Sequence, residues 1–236
     1  MNTGQSGPLF PSSERNASAR LAVLYFFIYQ GVCMGVYSSQ ISVFSNTLNL
    51  SDFALGVVGS FLAFGYICAV PWGAGLSRHF GSSRTLLVVS QIFGLSLGFV
   101  ALAGSLQGSN AYLLGLSCFS FGMAMGLQDI AANSQGILVE VVQNTSLFGL
   151  FHGSYAGGVS VGTVLGGALL YFMSTAVQSA SIIICFLIAM TLSCMAVPLT
   201  GPYLYDQRTE KLVEKTKIQN QKQNRKIMNI TLHIHT

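Results

Sequence analysis

The sequence predicts an all-α membrane protein: a six-transmembrane-helix bundle with both ends on the cytoplasmic side. Three observations carry that reading. Half of the 236 residues (51%) are hydrophobic and only 8% are charged, where a soluble domain carries about 25%. So few charges cannot clothe a surface in water, whereas a surface in lipid needs almost none. Six apolar runs reach the roughly 20 residues that a spanning helix requires. The Lys and Arg residues, finally, fall only on alternate links between those runs.

The runs follow in order. Span one is Leu21 to Phe44, span two Phe53 to Leu76, and span three Thr85 to Leu106. Span four runs from Ala111 to about Val139, span five from Leu147 to Met173, and span six from Gln178 to Leu199. Short polar links such as Asn46–Asp52, Gln107–Asn110 and Ser174–Val177 join antiparallel neighbours, so the chain is expected to cross the bilayer up and down.

Orientation follows from the cations. Arg15 and Arg20 precede span one, Arg78 and Arg84 lie between spans two and three, and Arg208, Lys211, Lys215 and Lys217 follow span six. The links after spans one, three and five carry none, which by the positive-inside rule puts both termini in the cytoplasm. The expected location is a plasma or inner membrane, as a multi-pass protein. Residues 1–20 read as a cytoplasmic segment and not a signal peptide, residues 21–199 as the six-helix body, and residues 200–236 as a basic, disordered cytoplasmic tail. From Ile218 to Thr236 the tail has no usable pattern. One reading of that stretch is translation past an intact frame.

The net charge of +4 comes from this tail and does not point to nucleic acid. The five cysteines (Cys33, Cys68, Cys118, Cys185, Cys194) all lie inside apolar runs without metal-ligand spacing, and read as small hydrophobes. No metal or cofactor is expected.

The chain carries a weak internal repeat. Gly31-Val-Cys-Met-Gly35 in span one answers to Gly122-Met-Ala-Met-Gly126 in span four, and Leu55-Gly56-Val-Val-Gly59-Ser60 in span two to Phe148-Gly149-Leu-Phe-His-Gly153-Ser154 in span five. Units with an odd number of spans face opposite ways, so the bundle reads as two inverted three-helix repeats, a mark of secondary transporters.

Ionisable groups at membrane depth are costly and point to function. Asp129 and Asn133 share one face of span four, and His152 lies at a similar depth in span five. A desolvated carboxyl can exchange a proton near neutral pH, so Asp129 and His152 are the proton-coupling candidates. The competing reading is a static polar clasp between spans four and five. Gln30, Gln40, Gln128, Asn133 and Tyr155 are the substrate-cavity candidates. Glu140 is expected at the interface, solvated, and Ser154, Gly158, Gly162 and Gly166, four apart on span five, form a helix-packing seam. An intramembrane serine protease is not supported: His152 and Ser154 stand two apart on one helix and cannot face each other. No enzymatic activity is expected.

These segments resemble the major facilitator superfamily, and within it the fucose-permease-like sugar branch. The resemblance rests on Asn49-Leu-Ser-Asp52-Phe-Ala-Leu-Gly56, on Gly126-Leu-Gln-Asp129-Ile-Ala-Ala-Asn133-Ser-Gln135 with Glu140, and on Phe151-His152-Gly-Ser-Tyr155 with its glycine stripe. Arg78-His-Phe-Gly81-Ser-Ser-Arg84 falls where the superfamily has its basic cytoplasmic loop. Here His79 and the serines replace charged residues of that motif, and Gln40 and Ser42 stand where the branch has Arg and Pro. The family has twelve helices in two halves, and this chain resembles the first half, from Ala19 to about Leu199.

The resemblance implies a cavity between the halves lined by spans one, two, four and five, with spans three and six toward lipid. It implies a secondary transporter, or its N-terminal half, moving a small polar, sugar-like solute by alternating access in symport with protons. Such a half needs self-association or a C-terminal half as partner, besides the bilayer. The alternative is a truncated, non-transporting membrane protein with a structural or regulatory role, or none.

Overall fold

The computed structural model describes residues 13–105, 111–173, 178–216 and 218–219. Six helices in it are long and apolar enough to cross a membrane, and no strand occurs among the described residues. The chain is a multi-pass membrane protein, a six-helix bundle.

Span one is built from α1 (Ser13–Ser39) and α2 (Ile41–Leu48), which break at Gln40. The hydroxyls of Ser38 and Ser39 donate to the carbonyls of Met34 and Val36 just before the break. Such back-bonding competes with the helical ladder and bends it. Span two is α3 (Asp52–Phe80), started by Ser51, whose hydroxyl oxygen accepts from the Ala54 N–H at 3.3 Å. It ends at Gly81, whose φ of 86° is open to glycine without strain. Span three, α4 (Ser82–Ser105), begins at the next residue, so the expected basic loop is a one-residue joint with Arg78 and Arg84 exposed on either side of it.

Span four is α5 (Ala111–Gln143), span five α6 (Phe148–Phe172), and span six α7 (Gln178–Thr200). Glu140 is not simply solvated. Its carboxylate accepts from the backbone N–H groups of Leu147 and Phe148, the latter at 2.6 Å, and so caps the positive end of α6.

The closest packing joins helices that are not neighbours in sequence: α1 lies along α6, and α3 along α5. Sequential neighbours such as α3 and α4 touch far less. Glycines explain the choice. A Cβ on Gly31 would run into the Tyr155 carbonyl, and one on Gly35 into the Val159 carbonyl. From the other side, Gly158 and Gly162 abut the carbonyls of Ile28 and Val32. The α3–α5 seam repeats this pattern, with Gly122 against the Leu62 carbonyl and Gly126 against that of Tyr66 and the Ala69 side chain. Small residues let backbones approach where no hydrophobic force drives helices together. Gly31 and Gly35 thus sit in one seam, and their counterparts in the internal repeat, Gly122 and Gly126, sit in the other. Span one relates to span four, and span five to span two.

Span three, expected toward lipid, has both an outward and a buried face. In α4, 61% of the most apolar stretch is buried, against 17% in α3 and in α6. A stripe of Val88, Ile92, Leu95, Phe99 and Leu102 faces outward, but Ser90 and Phe93 are fully buried on the opposite side. There the Ser90 carbonyl accepts from Ser193, and Phe93 stacks on Phe121 at 5.0 Å. Gln91 is equally engaged, donating to the Ser193 carbonyl at 2.8 Å.

The beginning of the tail is ordered, contrary to its reading as disordered. A 3-10 turn at Gly201–Tyr203 leads into a helix, α8, over 207–216. Leu204 and Tyr205 are buried between them. Gln135 of α5 donates to the Tyr205 carbonyl at 3.0 Å and to the Ser82 hydroxyl at 2.7 Å, and the Tyr205 hydroxyl donates to Asn16 at 2.7 Å. The Glu210 carboxylate accepts from the Ser82 N–H at 2.9 Å and from its hydroxyl, capping the start of α4. These anchors are single polar residues in a polar stretch, which no hydrophobic pattern marks. Most of the patternless stretch after Ile218 lies outside the described residues.

Candidate functional site

The sequence expected Asp129 to meet His152 across spans four and five. The structure places them otherwise. Asp129, on α5, accepts a 2.6 Å hydrogen bond from the Tyr66 hydroxyl of α3, and no hydrogen bond or ion pair joins it to His152 among the described residues. The reason is the seam. The α3–α5 glycines bring Tyr66 beside Asp129, whereas α5 and α6 make few contacts with each other. A clasp between spans four and five is thus not what holds Asp129. Tyr66 was not among the residues singled out from the sequence. No sequence pattern marked it; the segment that carries it packs on Gly126, three residues before Asp129.

His152 lies between aromatic rings. Phe148 approaches with a centroid distance of 4.3 Å and Phe27 of α1 with 5.3 Å. Its Nε2 is buried and has no hydrogen-bond partner among the described residues. Tyr155, one turn further along α6, backs onto Gly31. Gln30 adjoins Gly31 and is 1% exposed, with an unpartnered Oε1. Gln128 is fully buried and both of its amide atoms are unpartnered, as is the Oδ1 of Asn133.

One level of the bundle therefore gathers Gln30 from α1, Tyr66 from α3, Gln128, Asp129 and Asn133 from α5, and His152 and Tyr155 from α6. Each buried, unpartnered polar atom costs about 1–3 kcal/mol. Five such atoms occur among these residues, in Gln30, Gln128, Asn133 and His152.

Gln40 does not join this level. It sits at the α1–α2 break, about 15 Å further along the helix by the rise of 1.5 Å per residue. There its amide nitrogen donates to Ser39 and reaches the Cys185 sulfur at 3.7 Å. The expected seam residues Gly158, Gly162 and Gly166 do pack, the last of them against Ser39, while the Ser154 hydroxyl returns to the Phe151 carbonyl at 2.7 Å. By contrast Gly56 and Gly59 on α3, and Gly149, Gly153, Gly157 and Gly167 on α6, meet nothing within 4 Å. Large apolar side chains stand exposed beside them, among them Phe61, Phe64, Val161 and Val164.

No family model matches the chain. It is similar to an uncharacterized MFS-type transporter of Yersinia pestis, 27% identical over 161 residues, which is 68% of this chain and 40% of that protein. It is also similar to an uncharacterized transporter of Sinorhizobium fredii, 28% identical over 142 residues, or 60% of this chain and 35% of that one. These likenesses support a transporter, the first of them one of the MFS type. The matched region spans less than half the length of either relative.

Proposed function

We propose that the chain forms the substrate-binding half of an MFS-type secondary transporter, moving a small polar, sugar-like solute in symport with protons by alternating access. The observation that supports this most is the level of buried, unpartnered amide and imidazole atoms around the Tyr66–Asp129 hydrogen bond. A sugar offers hydroxyls that both donate and accept, which suits amides and an imidazole. In this reading Asp129 exchanges the coupled proton, Tyr66 orients its carboxylate, and Gln30, Gln128, Asn133 and His152 contact the solute. Tyr155 lines the same level.

Both termini are taken to lie in the cytoplasm, as the cations at Arg15, Arg20, Arg78 and Arg84 suggest. The open glycine faces of α3 and α6 are where a second six-helix unit would dock, either a C-terminal half or another copy of this chain. The partial coverage of the two relatives accords with that.

The test is uptake of a sugar panel into proteoliposomes under an imposed pH gradient, with the chain beside its Asp129→Asn variant. Gradient-driven accumulation of at least one sugar, lost in the variant, is the expected result. If accumulation is unchanged by Asp129→Asn, the proton role falls. If no sugar accumulates while crosslinking shows an assembled oligomer, the transport reading of the chain alone falls.

A further inference from the structure

We propose, resting on the solute-binding reading above, that the backbone carbonyl of Ile67 is a contact for the solute and selects a guest whose hydroxyl can donate there. Proline has no backbone N–H, and inside a helix it removes the hydrogen bond to the carbonyl four residues earlier. Pro71 lies within α3, so the carbonyl it releases is that of Ile67. No side chain among the described residues donates to that oxygen in place of the missing N–H.

The glycine seam fixes where this acceptor lies. Gly126 of α5 packs on Tyr66 and Ala69, and Gly73 of α3 packs on Ile130. The turn of α3 from Ala69 to Gly73 therefore runs beside the turn of α5 that holds Asp129. A helix carbonyl points at the residue four further on, which places the Ile67 oxygen in that turn, at Pro71. Its side of the helix is open: Ile67 is 65% exposed and Pro71 is exposed as well. Gly56 and Gly59, the open glycines of the docking face, stand about 16 and about 12 Å away toward the start of α3, by the rise of 1.5 Å per residue. A second unit seated on them does not occupy the turn at Pro71.

A bare carbonyl facing hydrocarbon is costly, because lipid offers it no donor. Such groups persist at membrane depth where they line a polar cavity. Tyr66 and Asp129 supply its polar neighbours: both are half-buried, and the Asn133 Oδ1, one turn beyond Asp129, is unpartnered. A backbone carbonyl only accepts, whereas a protonated carboxyl also donates. Two hydroxyls of one sugar ring match that pair, one donating to Ile67 and the other accepting from Asp129. An ether oxygen or a fluorine at the first position has no hydrogen to give and leaves the carbonyl unpaired.

The test is NMR of the chain in nanodiscs, titrated with hexoses and their monodeoxy and monofluoro analogues. Isoleucine labelled with ¹³C at the carbonyl and cysteine labelled with ¹⁵N pick out the Ile67–Cys68 and Ile184–Cys185 peptides, the second serving as a reference. The expected result is that a sugar which shifts the Asp129 carboxyl also shifts the Ile67 carbonyl and leaves Ile184 unmoved. One monodeoxy analogue of that sugar, and its monofluoro counterpart, should bind about tenfold more weakly, the upper end for one neutral hydrogen bond. P71A restores the N–H and should weaken the parent sugar about tenfold while leaving those two analogues unchanged. Alanine favours a helix over proline, so this variant keeps its fold. P198A, the same replacement in α7, should change nothing.

A sugar that moves Asp129 and leaves Ile67 unmoved overturns this proposal alone. So does P71A weakening the parent and every analogue by one factor, which would reduce Pro71 to a bend in the helix. An Ile67 shift that follows association with a second unit, with no sugar present, would give the acceptor to that interface. A panel in which no sugar moves Asp129 overturns the solute reading and this contact with it.

Discussion

The Tyr66 hydroxyl donates to the Asp129 carboxylate at 2.6 Å, across the α3–α5 seam. The bond is between neighbours in a parallel helix pair, and it holds the one acid in the middle of the bundle in a fixed orientation. Polar bonds between membrane helices average about 0.6 kcal/mol and reach about 1.7 kcal/mol in double-mutant cycles. A cycle of Tyr66→Phe and Asp129→Asn, read by unfolding in mild detergent, should give a coupling within that range and toward its upper end, because the acceptor is a carboxylate. A coupling of zero would mean that the two side chains do not share the bond.

The paired seams make a second prediction. Gly35 and Gly122 each face a carbonyl across a seam, whereas Gly157 faces open space. Leucine at Gly35 or Gly122 should separate the helices and cost more than the 1–3 kcal/mol of ordinary overpacking, since backbone cannot yield as a side chain does. Leucine at Gly157 should leave the stability of the six-helix unit within about 0.5 kcal/mol. Melting temperatures of the three variants in one detergent compare them directly. A Gly157→Leu chain that is stable alone but no longer associates would locate the docking face proposed above.

Much of this architecture was legible in the sequence because bilayer thickness imposes a length and lipid imposes apolarity. The six spans, and the match of Gly31 and Gly35 to Gly122 and Gly126, needed nothing else. Which helices pair was harder to read. Short links suggest sequential neighbours, but close packing in lipid goes to whichever faces carry glycine, and that joined α1 to α6 and α3 to α5. The same fact moved Asp129 from His152 to Tyr66. Gln40 was misplaced because its polarity resembles that of Gln30, while its position along α1 is far from the others. The order in the first part of the tail was invisible because it depends on Gln135 and Ser82, more than 65 residues away in sequence from their partners at Tyr205 and Glu210.

That anchoring can be undone one bond at a time. Gln135 both donates to the Tyr205 carbonyl and accepts from the Tyr205 N–H at 3.2 Å. Gln135→Leu removes both bonds and leaves two buried backbone groups unpaired, a cost of about 1–3 kcal/mol each. Residues 204–216 should then exchange their amide hydrogens markedly faster, while exchange in α3 and α5 at the glycine seam stays slow. Hydrogen-exchange mass spectrometry reads both regions at once, and uniform protection in the variant would show that Gln135 does not hold the segment.

At the start of α8, Asp206 supplies a charge-dependent step. Its carboxylate accepts from the Thr209 N–H at 3.0 Å and from the Thr209 hydroxyl at 2.8 Å. The backbone bond holds the carboxyl below the usual value of 3.8; burial, next in size, opposes it, and the Thr209 hydroxyl, Arg15 and Arg208 add to the lowering. A carboxyl lowered by folding stabilises the fold above its unfolded value, and the contribution is lost as pH falls through the lowered folded value. The α8 cap should therefore be intact at neutral pH and at pH 5, and should loosen only below 3.8. Carboxyl ¹³C shifts of Asp206 in a micelle-bound sample should titrate below that value. Thr209→Ala, which removes the hydroxyl and keeps the backbone N–H, should move the midpoint up only part of the way. A full return to the usual value in that variant would place the effect on the hydroxyl instead of the helix N-terminus.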